Sequence, residues 1–285
     1  MAFELALQNN VPVVWSKKLL ETKNKQIVGV NLCNRDYEGE ISEMGDQVKI
    51  FGTSRPTGRT YTGGTLTSAE QLPTVSTFLK VDKGLYWNFM IKDIDKRLAQ
   101  GDFFDKELKD GAAVFAEAED TYVYELIASG AGTIIPVESC GATTLPSVIS
   151  SGIKTLWNNN VPTSEEISIE ASPNFCEKVV LSHILHGTDN MGAMENGLVD
   201  ALRYYNAKLY MSNNIYKDAN DYEYIVIRTK GAVSFASAMN EVEPYRVEND
   251  FSDAVKALDI WGAKVIRPKE VVVLRVQAYA TETTI

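Results

Sequence analysis

Residues Asp105 to Gly130, DKELKDGAAVFAEAEDTYVYELIASG, constrain the fold more than any other stretch of this chain. Leu108, Ala112, Phe115, Ala118, Tyr122 and Leu126 recur at spacings of three and four, which predicts one apolar face of an α-helix. Asp102 and Asp105 stand near its start, where the helix dipole favours acids, and Gly130 stops it. At 1.5 Å per residue such a helix runs roughly 35–40 Å, longer than an ordinary globular helix. A rod of that length must cross a whole domain, and the remaining elements have to be laid against it.

Before it, residues 39 to 92 read as extended. QVKIF and TFLKV alternate, and GLYWNFMI is rich in the aromatics that strands favour. Between the first two lies a loop of roughly 20 residues, an uncommon length that is usually functional. It carries Pro56 and the glycines Gly52, Gly58, Gly63 and Gly64. No acid occurs between Asp46 and Glu70, whereas Lys49, Arg55 and Arg59 do. WSKKLLETKNK (Trp15 to Lys25) predicts a short helix opening at Ser16, with Leu19 and Leu20 on one side and an excess of lysine. After the long helix, SVISSGIKTLW predicts a helix, EEISIEAS an alternating strand, and NGLVDALRYYN a short helix running into the strand AKLYMSN. DYEYIVIRT is a further strand, GAVSFASAM an apolar element of either type, and AKVIRPKEVVVLRVQAYA a strand pair broken at Pro268. The class is α+β.

The 285 residues carry a net charge of −10, which argues against a dedicated nucleic-acid binder with a basic face. Cys33, Cys140 and Cys176 are scattered and odd in number, which favours a reducing compartment over a disulfide framework. The first residues contain Glu4 and no basic run, so no secretory leader is expected, and no window is apolar enough for a membrane span.

Catalytic patterns are absent or incomplete. GTSRPTGRT lacks the Gly-Lys-Ser/Thr ending of a phosphate loop, and there is no Gly-x-Ser-x-Gly elbow. His183 and His186 in LSHILHG, with Cys176 upstream, could supply zinc ligands for a hydrolase. Their apolar neighbours Val179, Val180, Leu181, Ile184 and Leu185 point to a packed or interface segment instead. Cys140 has no histidine near it in sequence to act as a base. Glu117, Glu119, Asp120 and Glu125 share one helix, which suggests a solvated or partner-facing side rather than a catalytic pair across a cleft. The tryptophans are spread too widely for a base-stacking platform. No catalytic residue, cofactor or metal is expected.

Charge supplies a positive expectation. The stretch Asp102 to Glu125 carries −6, and the loop from Gln47 to Ala69 carries +3. A cationic hairpin folded back on its own helix would gain little beyond screened pairs. Reaching onto the helix of the next copy gives a heterologous contact that propagates into rings or shells. The intersubunit candidates are Lys49, Arg55 and Arg59 on one side and Glu117, Glu119, Asp120 and Glu125 on the other.

This order of elements resembles the major capsid proteins of tailed bacteriophages, the Hong Kong 97 type of fold. The resemblance covers nearly the whole chain. It rests on VPVVWSKKLLETKNKQIVGVNLCNRDYEGEISEMGDQVKI, on NGLVDALRYYNAKLYMSNN, and on the closing strands after ALDIWGAKV. It implies an N-terminal arm (1–38), an extended E-loop region (39–80), a peripheral domain with a spine helix (81–134), an axial domain (135–255) and return strands of the peripheral domain (256–285). It further implies self-assembly into hexamers and pentamers that form an icosahedral head around double-stranded DNA, without sequence-specific binding. The implied partners are a separate scaffolding protein, a portal and head-completion proteins, with assembly in the host bacterial cytoplasm and residence in the virion. An encapsulin-type compartment shell is the alternative within the fold, and the zinc hydrolase is the alternative outside it.

Overall fold

The computed structural model describes residues 27–40, 43–53, 58, 60, 63, 74–92, 103–137, 140–141, 144–181, 206–248 and 250–277. The expected helix at Ser16, nearly all of NGLVDALRYYN, and most of the long loop lie outside these residues.

The long helix is present as α1 (Phe103–Gly130). Its buried stripe begins as expected with Leu108, Ala112 and Phe115, but continues through Ala116, Glu119, Asp120, Val123, Tyr124 and Ile127. Ala118, Tyr122 and Leu126 are half-buried at its margin. The apolar residues alone therefore misplace the second half of the stripe, because the buried face passes through two carboxylates.

Strands β1 (Gln47–Thr53) and β2 (Thr74–Lys80) form an antiparallel hairpin in which Gln47 faces Lys80 and Thr53 faces Thr74. Strand β3 (Lys83–Lys92) opens a second sheet. GAVSFASAM resolves as the start of a 14-residue strand, β8 (Val233–Arg246), which pairs with β9 (Ser252–Val265). The order is β3-β9-β8. Leu85, Trp87 and Phe89 of β3 turn toward α1 and pack with Leu108, Ala112, Phe115 and Val255. The Trp87 ring lies 5.9 Å from Phe115 and passes so close to Gly111 that a Cβ there would sit 2.7 Å from the indole. This contact explains a glycine inside a helix.

The third sheet has the order β4-β10-β7-β5-β6, with β4 Thr133–Val137, β5 Ile167–Ala171, β6 Ala207–Met211, β7 Tyr222–Thr229 and β10 Val271–Gln277. Helices α2 (Leu145–Asn158) and α3 (Pro173–Leu181) cover one face, where Ile149, Ile153 and Leu156 meet Ile169, Ile227 and Leu274. The other face packs on α1 and on the segment Ile27–Cys33. Strand β5 keeps its alternation but is buried throughout, because both faces are covered. Ser168 and Glu170 alternate with Ile167 and Ile169, so they occupy the α1 side.

The strand pair expected around Pro268 exists as two strands that are not partners. β9 belongs to the three-stranded sheet, whereas β10 lies between β4 and β7. Two expected boundaries fall inside strands: 134/135 cuts β4, and 255 cuts β9. The chain crosses between the sheets more often than a linear division allows.

Candidate assembly surfaces

The hairpin is two-faced. Val48, Ile50 and Leu79 are buried against Val81, Ala236 and Ile260. Opposite them, Phe51 is 65% exposed and Phe78 is 52% exposed. Lys49 pairs across the ladder with Phe78, and its Nζ stands 5.0 Å from the Phe51 ring centre and 5.9 Å from that of Phe78. The result is a cation mounted on an aromatic platform that faces away from the subunit. The base of the hairpin is held firmly. Gly45, at φ +101°, donates its N–H to the Val81 carbonyl, and the Val81 N–H donates to the Asp46 carbonyl. The Lys80 carbonyl presses on Gly262, where a Cβ would lie 2.1 Å from it. Arg55 and Arg59 lie outside the described residues.

The acidic candidates on α1 separate into two pairs. Glu117 and Glu125 are exposed, together with Asp110, Thr121 and the half-exposed Val114. Glu119 and Asp120 are fully buried, which corrects the reading of all four as a solvated or partner-facing row. Asp120 accepts hydrogen bonds from the backbone N–H groups of Val28, at 2.9 Å, and Val30, at 3.1 Å, in its own subunit. Burial pushes its carboxyl above the usual range, while those N–H donors pull the other way.

A second open face lies on the three-stranded sheet, away from α1. Tyr86 is 75% exposed and pairs with Leu258, and Met90 is 58% exposed. Tyr245 accepts a hydrogen bond from the Asn88 amide at 2.7 Å, and Lys256 pairs with Glu243 at 2.6 Å. At the β8–β9 turn, Phe251 is 80% exposed. The sequence signal for this face is in GLYWNFMI, where Leu85, Trp87 and Phe89 alternate with Tyr86, Asn88 and Met90.

The residues weighed for chemistry do not form a site among the described residues. Cys140 is buried, and burial raises its thiol. Cys176 is half-buried on α3, and burial, with a smaller contribution from Glu223, pushes it to about 11. Neither is primed as a nucleophile. His183 and His186 fall outside the described residues. Among those described, no three His, Cys, Asp or Glu residues gather as a metal site, and no helix is long and apolar enough to cross a membrane. A cleft of about 760 Å³ lies between the hairpin base and the β9–β10 turn, walled by Tyr37, Phe51, Asn159, Arg267 and Lys269. Arg267 there is paired with Glu270 at 3.2 Å.

No protein-family model and no curated protein matches this sequence. Solved structures do. A chain from Mycobacterium phage Che8 superposes with a TM-score of 0.68 and 27% identity, over 87% of this chain and 91% of that one. The capsid of the cyanophage P-SCSP1u gives a TM-score of 0.68 at 16% identity, over 82% and 84%. The SrpI encapsulin of Synechococcus elongatus gives 0.57 at 12% identity, over 75% and 81%. The fold is thus that of tailed-phage capsid proteins, the Hong Kong 97 type.

Proposed function

We propose that this chain is the structural subunit of a phage head. Copies assemble into hexamers and pentamers and close into an icosahedral shell around double-stranded DNA. The observation that carries this reading is the fold likeness to phage structures over more than four-fifths of the chain. The two open faces support it, because a lone subunit with exposed Phe51, Phe78, Tyr86, Met90 and Phe251 has apolar surface to cover. The role is structural rather than catalytic, and the site of action is the virion.

In the proposed contact, the cationic hairpin, with Lys49 and the loop residues Arg55 and Arg59, meets the exposed acids Glu117 and Glu125 of the next copy. The net charge of −10 suits a wall that must not grip its contents, since every phosphate held by a cation adds salt-dependent affinity. A separate scaffolding protein, a portal and head-completion proteins are the partners such a shell would use.

Negative-stain microscopy of the expressed protein tests the reading, and shells, tubes or capsomer rings are expected. Reversing Arg55 and Arg59 to Glu should leave circular dichroism unchanged and block assembly. Normal assembly of that variant at low and moderate salt would remove the charge argument. A protein that stays a lone subunit at all concentrations and salts, with and without a scaffolding partner, would remove the shell itself. The likeness to an encapsulin favours one second reading, a compartment shell that holds a protein cargo. Particles purified from the native source separate the two, because DNA inside supports the head and a co-purifying enzyme supports the compartment.

A further inference from the structure

The segment Ile27–Cys33 is held by more than apolar packing. Buried charged groups from distant elements grip its main chain on two sides. On one side, Asp120 of α1 takes the N–H groups of Val28 and Val30. On the other, Arg228 of β7 donates from Nη2 to the Gly29 carbonyl at 2.7 Å and from Nη1 to Cys33 Sγ at 3.2 Å. Glu170 of β5 holds the guanidinium in place through Nε at 2.6 Å and Nη2 at 3.2 Å. Asp120, Glu170 and Arg228 are all fully buried. Ile27, Val30 and Cys33 share one apolar cluster with Val123 and Ile127 of α1, Val226 and Val273 of the five-stranded sheet, and Phe235 and Trp261 of the three-stranded sheet. The segment therefore touches all three bodies of the subunit.

An apolar wedge would join these bodies equally well, and burying charges is costly. What the charges add is orientation. The carboxylate accepts only from donors and the guanidinium reaches only acceptors, so the Val28 and Val30 N–H groups must face α1 while the Gly29 carbonyl faces β7.

We infer that Asp120 and Arg228 form a two-sided receptor for the main chain of residues 28–30, which fixes the orientation of the segment that leads into the hairpin. The hairpin beginning at Gln47 then leaves the subunit from a fixed point and reaches a neighbouring copy in a fixed frame. Asp120 and Arg228 are positioning residues. The part of the inference that concerns neighbours rests on the shell reading, and the grip itself does not.

Two variants of the full-length protein test it. Asp120→Asn replaces half of the carboxylate with a donor that faces N–H donors. Gly29→Ala leaves every charge in place, but its Cβ would lie 2.9 Å from the buried Tyr124 ring and lift the segment. Hydrogen exchange by mass spectrometry reads the grip, and electron microscopy with sedimentation reads assembly. In both variants, exchange across residues 27–35 should rise by at least about tenfold while peptides spanning β7 and β10 keep wild-type rates. Shell yield should fall by at least about tenfold, while the core variant Ile149→Val, on the far side of the sheet, assembles normally. Unchanged exchange at 27–35, or a uniform rise throughout the chain, would overturn the receptor. A released segment with normal shells would overturn its role in presentation. Wild-type protein that never assembles, with or without a scaffolding partner, would overturn the shell reading, leaving the exchange contrast to decide the grip.

Discussion

Replacing Arg228 with Met removes one partner of an ion pair in which both side chains are fully buried. Glu170 is then left in the core with the Ser168 hydroxyl at 3.3 Å and no cation. Stranding a buried charge in this way costs about 3–5 kcal/mol, a large share of the roughly 5–15 kcal/mol that holds a native protein folded. Glu170→Met strands the guanidinium instead, at a similar cost. With both changes no charge remains to be stranded. The residual loss is one donor to the Gly29 carbonyl, which keeps the Leu32 N–H and the Cys33 thiol at 3.3 Å, a cost of about 1 kcal/mol. The single variants would sum to roughly 6–10 kcal/mol if independent, so the double variant should recover about 5 kcal/mol or more as coupling. Urea unfolding of the unassembled subunit reads this through the fluorescence of Trp87, Trp157 and Trp261, all at least half-buried. The midpoint should shift with an unchanged slope. A double variant that loses the full sum, or single variants that each lose under about 1 kcal/mol, would refute the buried-pair reasoning.

Other outcomes follow from close packing and from burial. Gly262→Ala and Gly132→Ala place a Cβ 2.1 Å from the Lys80 carbonyl and 2.2 Å from the Pro268 carbonyl, so both should lower the unfolding midpoint clearly. Gly39→Ala, with nothing within 4 Å, should not. Cys176, held at about 11 by burial, is about one part in a thousand thiolate at pH 8, against roughly a quarter for a free thiol. Its alkylation in the native protein should therefore run a few hundred-fold slower than in urea, and fast native labelling would refute that environment. Charge reversal of Glu117 and Glu125 to Lys should weaken assembly without changing the unfolding curve of the subunit. A shifted curve would assign those residues to folding instead.

The periodic elements were legible because each satisfies a local rule. A 3–4 spacing closed by Gly130 yielded α1, alternation yielded β1, β2 and β5, and aromatic richness yielded β3. The exposed acids at 117 and 125 and the cation at 49 could be marked as surface for the same reason. Local rules failed where a residue's environment is supplied from far along the chain. Glu119 and Asp120 read as surface acids, yet the Val28 N–H that meets Asp120 comes from 92 positions away. Glu170 and Arg228, 58 positions apart, become a pair only because β5 and β7 are neighbours in the sheet.

The same division holds for strand pairing. VVVLRV reads as a buried strand, but nothing in it says that β4 and β7 flank it rather than the preceding β9. Composition, period and charge determined which elements form, that they make a mixed α+β subunit, and that a cationic hairpin stands apart from an acidic helix. Tertiary structure alone decided which acids are buried, which sheet face stays open, and where the segment Ile27–Cys33 is held. Burial and hydrogen bonding depend on which distant segments arrive together, and that arrangement is a property of the packed chain rather than of any window along it.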